Sequence, residues 1–197
     1  MPPTGPKGDV PGHVVRFFGN FDGTNLTYTG AVPAGAPTTL NAGQVVELPL
    51  TSQAFEVSGD KAFAVVTLMI GGELLDPNGA DMALGDPAQS IVTAVEQYQD
   101  KYVFLAPTDY SVNYLDVVAP SGATLTLDGQ PANGPTTPIQ GSQYSVVRLL
   151  LNNNTQGAHV LTSSNPVGIQ VAGYGQYTSY YYPGGLNLKT IAPPPIR

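Results

Sequence analysis

Residues 22–30 read DGTNLTYTG and residues 121–129 read SGATLTLDG. The two match without a gap at an offset of 99, which places Leu26 on Leu125 and Gly30 on Gly129. Each alternates apolar with hydroxyl side chains and is closed off by glycine, the pattern of a short, half-buried strand between turns. Further on, FEVSGDKAFAVV (55–66) matches HVLTSSNPVGIQV (159–171) at an offset of 104, with Val57 on Leu161 and Val65 on Ile169. The difference between the offsets is accommodated near NNNTQG (152–157), where a longer hairpin costs little closure entropy. Self-similarity of this kind predicts two copies of one β-unit.

The same period-two alternation runs through QVVELPL (44–50), AFAVVTLMI (62–70), YLDVVA (114–119) and YSVVRLLL (144–151), and turn formers such as Ser58-Gly59-Asp60 and Asp128-Gly129 separate the runs. The expected fold is all-β, a β-sandwich built from two copies of a duplicated unit, tandem or pseudo-symmetric, with little or no helix. Residues 13–95 form the first unit and 96–190 the second; the Pro/Gly-rich residues 1–12 read as a tether and 191–197 as a Pro-rich tail. Residues 86–102, DPAQSIVTAVEQYQDKY, are the one place where a helix competes, because Asp86 could cap a helix with Pro87 in its first turn. Ile91, Thr93 and Val95 also alternate, so at most one helical turn at 87–90 is expected before a strand.

Composition narrows the function. Charged residues make up 11% of the chain, less than half the usual share, whereas Gly (23) and Pro (19) are used at roughly twice the average rate. A net charge of −7 with seven scattered basic residues argues against nucleic acid, which needs clustered Lys and Arg. No apolar run approaches the length of a membrane-spanning helix, so no membrane insertion is expected. Without cysteine there is no disulfide, thiolate nucleophile or Cys-ligated zinc. The expected setting is extracellular, at a bacterial cell surface.

Taken together, DGTNLTYTG, TTLNAGQVVELPLTSQAFEVSGDKAFAVV (38–66), GDPAQSIVTAVEQYQDKYVFLAP (85–107), GATLTLDG (122–129) and NPVGIQVAGYGQYTSYYYPGGLNL (165–188) span most of the chain. On these motifs it resembles the bacterial IgGFc-binding-protein N-terminal domain family. The resemblance implies a secreted, β-rich cell-surface module that binds a partner. It does not imply immunoglobulin as the ligand of this chain.

Two places carry candidate chemistry. In DPNGADMALGD (76–86), Asp76, Asn78, Asp81 and Asp86 put oxygen ligands on one Gly-rich loop, as calcium requires, although the spacing is not that of an EF-hand and an ordinary turn-rich loop is the simpler reading. In GYGQYTSYYYPGG (173–185), Tyr174, Tyr177, Tyr180, Tyr181 and Tyr182 either seal packed sheets or form a contact surface for a protein or a sugar. On an extended strand Tyr180 and Tyr182 share one face and Tyr181 takes the other. His13 and His159 read as structural, no Gly-x-Ser-x-Gly elbow is present, and Asp109 and Asp116 fall on opposite strand faces. The reading is therefore a non-catalytic, exported adhesion or interaction module without a required cofactor, calcium aside. The alternatives are a structural repeat of a stalk, sheath or filament touching neighbouring modules, and a glycan-acting hydrolase.

Overall fold

The computed structural model describes residues 1–75, 77, 84–151 and 157–189. The first unit contains β1 (His13–Gly19), β2 (Thr24–Thr29), β3 (Thr39–Leu40), β4 (Val45–Glu47), β5 (Glu56–Gly59), β6 (Phe63–Met69) and β7 (Gln89–Ile91). The second contains β8 (Gln99–Leu105), β9 (Val112–Pro120), β10 (Leu125–Leu127), β11 (Gln130–Pro131), β12 (Thr136–Pro138), β13 (Tyr144–Leu151), β14 (Ala158–Gly175) and β15 (Thr178–Pro183). Among the described residues, helix is confined to one turn, α1 (Gly72–Leu75), and a 3-10 turn at Val95–Gln97.

In the first unit a sheet in the order β4-β1-β6-β7 faces a sheet in the order β3-β2-β5. Val15, Phe17, Leu26, Leu40 and Leu48 fill the space between them. In the second, the 18-residue β14 belongs to two layers. Its first half lies between β10 and β8, and its second half between β9 and β15. The register against β8 breaks between Thr162 and Val167, where Asn165-Pro166 turns the strand through the corner. Leu115, Val117, Leu149, Leu161, Val167, Ile169 and Val171 fill the second core.

The pairing registers of the two units correspond. Leu26 lies opposite Gly59 and Tyr28 opposite Val57, while Leu125 lies opposite Ser163 and Leu127 opposite Leu161. The sequence offsets of 99 and 104 carry each residue of the first set onto its counterpart in the second. Phe17 opposite Val65 corresponds to Val117 opposite Ile169 at offsets of 100 and 104.

Two expectations need correction. Residues 1–12 do not simply tether: Pro2, Pro3, Thr4 and Gly5 are buried and lie across the outer face of the β9–β13–β14 layer. Nor is there a helical turn at 87–90, because Gln89–Ile91 pairs with β6 and Asp86 donates its N–H to Ser179 Oγ at 3.0 Å. The turn comes later, at Val95–Gln97, between the two units. The tail at 191–197 lies outside the described residues.

The strap and the first unit cover the outer face of the β9–β14 layer, so this layer is buried on both sides. Met69, Tyr114, Ala172, Tyr174 and Tyr181 form a third apolar cluster there. Close packing across the layer explains Gly168: a Cβ at this position would stand 2.2 Å from Cε1 of the Tyr98 ring, which itself packs edge-on against Tyr144. Gly168→Ala is expected to lower stability by about 1–3 kcal/mol through overpacking, measured by urea denaturation.

Candidate functional site

The most connected polar group sits under the strap. Asp116 on β9 and Arg148 on β13 are directly opposite each other, with Nη1 3.2 Å from Oδ1 and side chains 0% and 7% exposed. Thr4 completes the pair. Its N–H donates to Asp116 Oδ2 at 2.8 Å, its hydroxyl donates to Oδ1, and the same hydroxyl accepts from Arg148 Nη1 at 2.9 Å. Arg148 also donates to the Pro2 carbonyl at 3.2 Å, and the Tyr174 hydroxyl donates to the Thr4 carbonyl at 2.7 Å. Burial pushes the Asp116 carboxyl up, and the Arg148 guanidinium and the two Thr4 donors oppose it. With its oxygens committed to Thr4 and Arg148, this carboxylate works as a latch for the strap.

His13 sits beside the seam with its Nδ1 2.5 Å from Thr67 Oγ1. Its ring borders a cavity of about 50 Å³ lined largely by Val15, Phe55, Val57, Val65 and Val92, and burial pushes its pKa down to about 2. Across the seam Ser90 Oγ donates to Gln170 Oε1 at 2.7 Å, Gln170 Nε2 donates to the Ile91 carbonyl at 2.9 Å, and Ser142 Oγ donates to Glu56 Oε2 at 2.5 Å. Polar bonds thus join the units at several points. His159 is structural in the same sense, stacked on Phe104 at 5.4 Å with Nδ1 2.7 Å from Asp128 Oδ2.

The five tyrosines have different surroundings. Tyr174 is buried under the strap, and Tyr181 is buried in the cluster with Met69, its hydroxyl toward Thr67. Tyr180 and Tyr182 lie on the opposite face and pack against the core of the second unit. The Tyr180 hydroxyl donates to Asn113 Oδ1 at 2.6 Å. The Tyr182 hydroxyl donates to the Leu105 carbonyl and accepts the Leu105 N–H at 3.1 Å, capping the free edge of β8. Tyr177 differs from these four: it is 72% exposed at the tip of the β14–β15 hairpin and has a φ of +53°.

Of the candidate calcium ligands, Asp76, Asn78 and Asp81 lie outside the described residues, and Asp86 is exposed beside Ser179. Among the described residues no group of three or more His, Asp or Glu side chains is placed to hold a metal. Asp109 is exposed and Asp116 latched, so the structure does not present them as a working carboxylate pair. The latch escaped the sequence reading although a signal was there: Asp116 and Arg148 are single charges inside apolar runs, YLDVVA and YSVVRLLL, and such charges need partners when buried.

The chain is double-layered and all-β, with an exposed aromatic at the hairpin tip and a latched carboxylate beneath the strap. The chain belongs to the IgGFc binding protein family, whose model matches residues 1–173. No curated protein and no solved structure matches it.

Two outcomes test the seam. Arg148→Met strands a buried carboxylate and is expected to cost about 3–5 kcal/mol, with part of the loss recovered in Asp116→Asn/Arg148→Met, as read by chemical denaturation. Unfolding frees His13 to take a proton below its ordinary pKa, whereas the folded state holds it neutral down to about pH 2. Its contribution is therefore complete above about pH 6.5 and is lost as pH falls, by up to about 1.4 kcal/mol per pH unit. Melting temperatures from pH 7.5 to pH 5 should fall for the wild type and fall less for His13→Gln.

Proposed function

We propose that this chain is a non-catalytic, exported cell-surface module that grips a protein or glycan partner through the hairpin tip bearing Tyr177. One observation carries the reading: a tyrosine 72% exposed is held at a positive φ that side-chain-bearing residues rarely adopt. Such strain costs on the order of 1 kcal/mol and persists where function needs the side chain presented. The base of the tip is firm. Tyr110 packs edge-on against Tyr180 at 4.8 Å, and its hydroxyl is 3.3 Å from Thr178 Oγ1. A rigid aromatic on a fixed base gives up little entropy on binding. Membership of a binding family supports a protein partner, and the cysteine-free, weakly charged composition supports an extracellular location. The matched pairing registers of the two units support their origin from one duplicated β-unit.

A second reading, a structural repeat that contacts its neighbours, is favoured by one feature. Val103 and Leu105 on β8 are 68% and 62% exposed and lie opposite Val160 and Ala158, making an apolar strip on the outer face. A glycan hydrolase has little support, since Asp116 is inaccessible.

A glycan and protein array should show binding that Tyr177→Asn weakens by about tenfold or more. Asparagine accepts positive φ, so its melting temperature should stay level or rise. Tyr181→Phe, altered only in the interior, should bind as the wild type does. Binding unchanged in Tyr177→Asn would overturn the tip. Concentration-dependent self-association abolished by Val103→Glu would instead favour the structural repeat. EDTA is expected to leave the melting temperature unchanged, and a fall on chelation would point to a calcium site in the 76–86 loop.

A further inference from the structure

Four places in the chain put an aspartate or asparagine directly before glycine: Asp22-Gly23, Asn78-Gly79, Asp128-Gly129 and Asn133-Gly134. These pairs share one reactivity. The glycine nitrogen can reach the side-chain carbonyl carbon of the preceding residue and close a five-membered imide, and glycine has no side chain to obstruct the approach. Hydrogen bonds that hold either group away from the other remove the advantage of an intramolecular reaction.

The fold holds two of the four pairs. Asp22 Oδ1 accepts the Ala42 N–H and the Gly23 N–H donates to Asn41 Oδ1, both at 3.0 Å. Asp128 is held by both oxygens, with Oδ1 accepting the Val160 N–H at 2.8 Å and Oδ2 lying 2.7 Å from His159 Nδ1. Asn78-Gly79 lies outside the described residues. Asn133-Gly134 is different. Asn133 is exposed, and among the described residues neither its side-chain amide nor the Gly134 N–H has a hydrogen-bond partner.

The neighbouring contacts keep this pair in place. The Ala132 N–H donates to the Leu125 carbonyl at 2.9 Å and the Arg148 N–H donates to the Pro135 carbonyl at 3.0 Å, so the chain is anchored on either side. Packing requires glycine at 134, because an added Cβ would stand 2.1 Å from the Arg148 carbonyl oxygen. Asn133 also lines a cleft of about 300 Å³ with Leu125, Thr136 and Val147, and none of the lining residues is charged.

We propose that Asn133 is a site of spontaneous deamidation, whose product places a carboxylate on the wall of an otherwise uncharged cleft. The Gly134 nitrogen attacks Asn133 Cγ, the bond from Cγ to the side-chain nitrogen breaks, and that nitrogen leaves as ammonia with the proton given up by Gly134. Water then opens the imide. Attack at Cγ leaves aspartate, and attack at the main-chain carbonyl leaves isoaspartate, in which the chain runs through the side chain and gains a methylene. One water is consumed and one ammonia released. Either acid is ionised at neutral pH, so the cleft comes to favour cationic groups over anionic ones. The site is separate from the Tyr177 tip and does not depend on it.

The test is to incubate the full chain at mildly alkaline pH and body temperature and map its peptides by mass spectrometry, with heavy-oxygen water to mark hydrolysed residues. Residue 133 should show the amide-to-acid mass gain with one solvent oxygen, and ion exchange should resolve the product as a more acidic species. Its rate in the folded chain should lie within about tenfold of that in acetyl-Ala-Asn-Gly-Pro-amide, whereas label uptake at Asp128 should be slowed more than about tenfold relative to acetyl-Leu-Asp-Gly-Gln-amide. Asn133→Gln cannot close the five-membered ring and should abolish the gain while melting as the wild type does. Residue 133 unchanged while its peptide converts, conversion more than about tenfold slower in the folded chain than in the peptide, or conversion confined to Asn78 would each overturn the proposal.

Discussion

The layer formed by β9 and the second half of β14 is buried on both faces, and this requirement shapes the rest of the molecule. A sheet buried on both sides must satisfy every polar group it carries, and this one carries a carboxylate near its centre with a guanidinium beside it. An ion pair in such a place contributes little net stability, because desolvating two charges offsets most of their attraction. Its effect is on geometry. Thr4 offers both a donor N–H and a hydroxyl that gives to Asp116 while receiving from Arg148, so the strap is held in one register. An apolar strap could slide along an apolar face, whereas this one has a fixed position.

The two halves share a pairing scheme but have different jobs. In the first unit β5 and β6 are separate strands, and a turn at Asp60-Lys61 lies between them. In the second the equivalent residues run through the corner as one strand, β14, which joins both layers of its sandwich. The second unit is thus the more tightly integrated half. The first unit lends its sheet and its N-terminal strap as cover for the outer face of the second, and the tyrosines of β15 fill the remaining space on both faces.

The strand pattern and the opposite facing of Tyr181 relative to Tyr180 and Tyr182 were legible in the sequence, because each rests on period-two geometry and on which residues alternate. The role of each tyrosine was not. Tyr174 and Tyr177 are three residues apart and differ from nearly buried to nearly free, a distinction made by the strap above one and the hairpin turn at the other. The strap was misread for a related reason: proline-rich composition signals an absence of regular structure, and Pro2 and Pro3 are irregular but buried.

The strap also determines how the molecule bears tension. A pull on the chain near residue 2 is delivered through Thr4 to Asp116 and Arg148, midway along two neighbouring strands, and not to the end of a hairpin. Load applied there must slide whole strands past one another, breaking many ladder bonds together, whereas a pull at a strand end would open them one at a time. Under tension applied at the strap, the latch makes the covered sheet a shear joint.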